Sequence, residues 1–531
     1  MKMHIIHYIK WFSVAQITIY FLSACNGQPT PNESDQTQSL PFYTPSSIQE
    51  QTLVKTQSEN TQTADIQTTY PQNRPLATWL PATEVWNENI FNNMSSLIQG
   101  PDLDLSDLGQ GFVALHKRIN FDSVTGGYIS NKSIVLNRAL TNTWTQTSPF
   151  PSVSGSNSQE VEISVGVNGN AYAIWLIDDE LYFNHYNQAV GWSTEISIGS
   201  SDVKQSLLVD ANGDGWIFWT LGLEINLQQF VTGDGPNAGL QAIESMTVDN
   251  AWIYSSPALD ANGTVSLSWI TNTSNTPPIT NSNNLNLIQF NPSMGWGQIE
   301  TAPLLSSLDA MGSHLNLVAS FNDEILAISQ DMRGSIFAIT FSPTNRWGSW
   351  ENLDYNLGRV DRVTRAAKVA KKGDNNIMVI WTEATKELEG TPIYGVYSNK
   401  YNAIPDANGK HWPAPQRVGS MTLESDNAGY RINPFRRLPN IALLPDGRAI
   451  ATWHDGSGVN SILHTNQYNP ASGWNAVPDT IANYDRLGSG EVKSPNIALL
   501  SDGTIILSWL QEIANEFSKE IHVWVAEGQI Q

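Results

Sequence analysis

The stretch NGNAYAIW at residues 168–175 recurs as NGDGWIFW (212–219), NGTVSLSW (262–269), DGRAIATW (446–453) and DGTIILSW (502–509). In each copy a turn pair is followed, six residues after its glycine, by an aromatic: Trp175, Trp219, Trp269, Trp453 or Trp509. NNIMVIW (375–381) places Trp381 in the same register, and NDEILAIS (322–329) has Ser329 there. Between turn and tryptophan the side chains alternate or run apolar, the pattern of a strand packed on both faces. One small sheet cannot bury two apolar faces alone, so the units must stack on one another. The marker positions 175, 219, 269, 329, 381, 453 and 509 lie 44 to 72 residues apart, the range of a four-strand blade with variable loops. The reading is an all-β chain folded as a β-propeller.

A second element follows the first in several units. LYFNHYNQAVGW ends at Trp192, LNLIQFNPSMGW at Trp296, IFAITFSPTNRW at Trp347 and ILHTNQYNPASGW at Trp474. An alternating strand runs into a tight turn, and an aromatic opens the next strand, as turn chemistry and β propensity together expect. GKHW, ending at Trp412, is the same element in the sixth unit. The last unit, PNIALLSDGTIILSW followed by IHVWVAEG, lacks an outer strand, whereas SIVLNRALTNTWTQ near the start supplies only a third and a fourth, with Trp144 in the outer aromatic place. If an N-terminal strand completes the C-terminal blade, the ring closes as seven blades with no exposed edge. GFVALHKR (111–118) is the competing signal: as the second strand of a degenerate unit it would make the count eight.

The N-terminus carries Lys2 and Lys10, the apolar run WFSVAQITIYF and then LSAC at 22–25, whose Cys25 is the chain's one cysteine. This order of basic, apolar and small-residue segments reads as an export signal, and LSAC resembles the lipobox of bacterial lipoproteins. The resemblance implies a signal peptide over 1–24 and a lipid-modified Cys25. Asn26, where an Asp would imply retention at the inner membrane, makes the outer membrane the expected destination and leaves the facing side open. Residues 25–81 are rich in Thr, Gln, Ser, Pro and Asn, too polar to offset chain entropy, and are expected to form a disordered tether. Random-coil scaling gives it a span on the order of 40 Å. Residues 82–110 read as an N-terminal extension and 111–531 as the propeller.

With 28 basic residues against 50 acidic ones and a net charge of −22, the chain lacks the cationic surface that a nucleic-acid backbone requires. VDRVTRAAKVAKK (360–372) is a local basic exception, read as a solvated loop. DANGDG places Asp210, Asn212 and Asp214 at alternate positions before Gly215, the first half of a calcium loop. Leu221 stands where the closing glutamate belongs, and DANG recurs at 260–263 and 406–409, so a hairpin turn is the favoured reading and calcium the alternative. WHDG puts His454 and Asp455 at a strand end, where a polar cluster with His464, Arg436 and Arg437 is a candidate site. Trp192, Trp296, Trp347 and Trp474 are candidates for stacking against a ligand. The repeated Trp175, Trp219, Trp269, Trp381, Trp453 and Trp509 are expected to pack between blades.

Taken together, residues 105–531 resemble sialidase-type or lectin-like β-propellers. Sialidases of this class mark a turn with Ser-x-Asp-x-Gly-x-x-Trp, which is absent here, and their arginine triad, Tyr-Glu pair and acid Asp match no motif of this chain. The expected function is a lipid-anchored envelope module that binds protein as a scaffold, meeting the membrane through its anchor and an envelope protein or glycan through its loops. The alternatives are a carbohydrate-binding propeller and an envelope glycoside hydrolase, with the balance pointing away from an enzyme and no cofactor implied beyond the calcium candidate. The lipobox reading is checked directly by Cys25→Ser, expected to move the protein from the detergent phase to the aqueous phase in a Triton X-114 partition.

Overall fold

The computed structural model describes residues 78–530 apart from connecting segments, the longest being 148–160, 273–282, 355–364, 422–438 and 482–490. The signal segment, Cys25, nearly all of the 25–81 tether, Arg436 and Arg437 lie outside the described residues. The strands assemble into eight antiparallel sheets of four to six strands. Blade 1 comprises Ser96–Leu105, Gly111–Asp122, Gly127–Arg138 and Trp144–Thr147. Blades 2 to 7 have second strands at Ala171–Ile177, Gly215–Leu221, Val265–Asn272, Ile325–Asp331, Asn376–Leu388 and Ala449–Asp455. Blade 8 contains Glu491–Leu499, Thr504–Ala514 and Ser518–Gln529.

The count is therefore eight, and the expected seven is corrected. GFVALHKR lies in the second strand of blade 1, with Leu115 at the sequence position that holds tryptophan elsewhere. The stretch 82–110, read as an extension, is part of the ring: Ser96–Leu105 is the inner strand of blade 1, and Thr83–Phe91 pairs with Ser518–Gln529 as the missing outer strand of blade 8. Thr78 and Trp79 extend that seam by pairing with Gln529 and Gly528. The basic run is also corrected: Arg365–Lys372 is the inner strand of blade 6 rather than a loop.

The apolar cores lie between blades rather than within them. Eight buried clusters each draw on two neighbouring blades, and the one formed by Leu103, Val113 and Leu136 with Ile506, Leu510, Val523 and Val525 joins blade 8 to blade 1. Because successive strand residues face opposite sides, the marker tryptophan always meets the preceding blade: Trp381 packs with Leu326 and Ile328, and Trp453 with Met378, Ile380 and Val418. Blade 5 departs from the pattern in a compensated way. Ser329 is buried, and Phe337, directly across the ladder from it, packs into the cluster between blades 4 and 5. Inner strands are also bracketed by polar side chains. Asp104 Oδ2 accepts the Val165 N–H at 2.8 Å, Glu162 Oε1 accepts the Leu207 N–H at 2.9 Å, and Asn440 Nδ2 donates to Asn496 Oδ1 at 2.6 Å.

Two consequences are measurable. Trp381 is fully buried, so Trp381→Ala is expected to destabilise the ring by about 3–5 kcal/mol, read from urea midpoints. His464 is held below the usual imidazole range by burial, against the opposing pull of Asp455 and the Asp479 backbone. A depressed imidazole favours the neutral form in the fold, so this contribution is present above pH 6.5 and is lost as pH falls through the lower folded value. His464→Gln should therefore differ from the parent most at pH 7.5, with the gap narrowing toward pH 5 in the same urea titrations.

Candidate functional site

The described residues singled out from the sequence lie in several different blades, and of the polar candidates Asp455 and His464 are brought together. Asp210 Oδ1 accepts the backbone N–H groups of Asn212 and Asp214 at 2.8 and 2.9 Å, and Asp214 Oδ1 accepts from Thr232 N and Oγ1. Asp260 and Asp406 make the same bonds in their turns. The hairpin-turn reading of this segment accounts for these bonds, with Asp210 Oδ1 and Asp214 Oδ1 both spent on the turn and its neighbour. His454 is buried at the end of its strand, and His464 Nε2 stands 3.9 Å from Asp455 Oδ2 while its ring stacks on Trp453. The arginines needed to complete that cluster lie outside the described residues.

The outer tryptophans are engaged in packing. Trp192, Trp296, Trp347 and Trp474 each meet the aromatic that ends the third strand, Tyr186, Phe290, Phe341 or Tyr468, at centroid separations of 5.0 to 5.5 Å and interplanar angles of 58 to 63°. Tyr401 and Trp412 repeat the pair in blade 6. Trp474 is buried and donates Nε1 to Ser398 Oγ at 2.7 Å, which engages it in the junction of blades 6 and 7. The other three are half-buried, at steep angles to the paired ring.

A different site emerges where blades 4 and 5 meet at their outer edge. A cavity of about 230 Å³ is lined by Leu287, Ile288, Gln289, Gln298, Glu300, Phe341, Pro343 and Arg346. Glu300 opens the outer strand of blade 4 opposite Leu287, and Arg346 sits in the turn that leads into Trp347 of blade 5. Arg346 Nη2 donates to Glu300 Oε1 across the junction, and its guanidinium carbon lies 5.9 Å from the centroid of Phe341. The Arg346 side chain is 56% exposed and that of Glu300 16%, so the pair stands at the mouth of the cavity. Buried Leu287 and Phe341, both of the cluster between blades 4 and 5, form its floor.

The backbone singles out the same arginine. In blades 2, 3, 4 and 7 the turn residue at this position is Gly191, Gly239, Gly295 or Gly473, with φ between 77° and 99°. Blade 5 holds Arg346 there at φ 60°, in the left-handed region that costs a residue with a Cβ about 1–2 kcal/mol. Arg346 thus holds, with a side chain, a backbone conformation that glycine supplies in four other blades.

Internal comparison sharpens this. The register place of Glu300 is held by Glu244 in blade 3, opposite Leu227, and by Glu351 in blade 5, opposite Ala338. Glu244 faces the junction whose turn residue is Gly295. Glu351 accepts the backbone N–H groups of His411 and Trp412 at 2.9 to 3.3 Å, so the chain itself satisfies that carboxylate. At the junction of blades 4 and 5 a glutamate, an arginine and a cavity coincide. Neither Glu300 nor Arg346 stood out in the sequence, although the Arg in TNRW, set against the Gly of AVGW, SMGW and ASGW, was the available signal.

No protein-family model matches the chain, and no curated protein matches it. Solved structures do share its architecture. AofleA from Arthrobotrys oligospora is 14% identical with a TM-score of 0.32, covering 63% of this chain and 92% of its own. The polysaccharide lyase Uly1 is 9% identical with a TM-score of 0.37, covering 70% and 89%. The NanB sialidase from Streptococcus pneumoniae is 11% identical with a TM-score of 0.32, covering 78% and 84%. Similarity at this level concerns the fold and assigns no role to any residue of this chain.

Proposed function

We propose that this propeller binds carbohydrate, and that the groove between blades 4 and 5 is where it does so. The observation that carries the reading is the Arg346–Glu300 pair set over an apolar floor at the mouth of a cavity of about 230 Å³. Sugar rings present hydroxyls that both donate and accept, together with apolar C–H faces. A carboxylate, a guanidinium and the Gln289 and Gln298 amides match the first, and Leu287, Phe341 and Pro343 match the second. This replaces a protein-binding scaffold as the favoured reading. Lipidation at Cys25 would hold the domain at the outer membrane, within reach of envelope glycans.

The reading is tested by screening residues 26–531 on a glycan array, where specific, saturable binding is expected and uniform silence would reject it. Arg346→Gly separates function from stability. It removes the guanidinium and restores the residue that four other blades use, so binding of any array hit should fall about tenfold or more. The unfolding free energy should stay within about 1 kcal/mol of the parent, since relief of the left-handed strain offsets the gain in chain entropy and the loss of an exposed ion pair.

A further inference from the structure

Resting on that reading, we infer that the groove between blades 4 and 5 takes a single neutral sugar unit, gripped through adjacent hydroxyls, and discriminates against the acidic counterpart of the same ring. Size sets the first limit. About 230 Å³ lies below the roughly 300–1,000 Å³ of sites for drug-sized ligands, which restricts the occupant to one monosaccharide unit of a glycan, such as a chain end or branch.

Charge sets the second. Among the described residues, Glu300 and Arg346 are the charged ones lining the cavity, and they face each other through Oε1 and Nη2. The pair sums to zero, so an incoming carboxylate finds no uncompensated cation, and binding Arg346 would bring it against Glu300. Like charges brought together in a partly enclosed site are strongly unfavourable. The second Glu300 oxygen is an acceptor and the remaining guanidinium N–H groups are donors, side by side. Two adjacent hydroxyls, one donating to the carboxylate and one accepting from the guanidinium, satisfy both without breaking the ion pair. A carboxylate cannot donate to Glu300. The protein's net charge of −22 adds a longer-range penalty for acidic glycans at low ionic strength.

The test uses calorimetric titration of residues 26–531 with matched methyl glycosides: glucoside against glucuronide, galactoside against galacturonide, with mannoside and fucoside as further neutral probes. At least one neutral glycoside is expected to bind, with its acidic counterpart weaker by about tenfold or more. Glu300→Gln keeps the shape of the groove but loses the charged acceptor and leaves Arg346 uncompensated, so it should weaken the neutral glycoside by about tenfold and narrow or close its advantage over the acidic one. Acidic glycosides that bind as well as or better than neutral ones would overturn the inference while leaving a carbohydrate-binding groove in place. Neutral binding that is unchanged in both Glu300→Gln and Arg346→Gly, each checked for a parental thermal midpoint, would also overturn it. Silence with every monosaccharide and on the glycan array would reject the carbohydrate reading itself.

Discussion

A blade of this protein has two apolar faces and no interior of its own, so burial is complete only when every blade has a neighbour on both sides. The eight clusters that bridge consecutive blades express this rule, and the last of them, between blades 8 and 1, depends on the chain meeting itself. Pairing of Thr83–Phe91 with Ser518–Gln529 makes that meeting possible and covers what would be an open edge. The alternation of strand side chains then fixes the rest. With Trp381 or Trp453 turned toward the preceding blade, the next residue must turn toward the following one.

This arrangement explains what could be read from the chain and what could not. The turn and tryptophan spacing was legible because it serves packing, and packing at each junction imposes the same demand on each copy. Blade 1 was harder to see because Leu115 stands at the tryptophan position, and its inner strand, Ser96–Leu105, lies in what reads as a leader to the fold. Ser329 looked like a defect only because its compensation, Phe337, sits on the neighbouring strand, and pairing across a ladder is invisible without register. The Asp-x-Asn-x-Asp pattern is ambiguous for a chemical reason: alternate oxygens serve an Asx turn as readily as they serve a cation.

The candidate site was illegible for a different reason. Glu300 and Arg346 are 46 residues apart and belong to different blades, so no local motif joins them. They meet because the outer strand of one blade lies beside the turn of the next, a neighbourhood created by ring closure. The apolar cluster between blades 4 and 5, with Phe337 standing in for the marker tryptophan, holds that neighbourhood, so residues at its outer edge can depart from the repeat without disturbing it. Arg346 illustrates the division: its left-handed backbone is a local cost carried by a turn that contributes little to any core.

Every glycine codon is one base away from an arginine codon. The turns at Gly191, Gly239, Gly295 and Gly473 already hold the backbone that Arg346 adopts, beside outer strands that carry Ile196, Glu244 and other side chains at the facing register. A ring of this kind can therefore acquire or erase a polar groove at one junction by a single mutation, while the tryptophans that hold it together remain untouched. The multiplicity of blades becomes a set of nearly independent trials, in which recognition can evolve at one junction without hazard to the others.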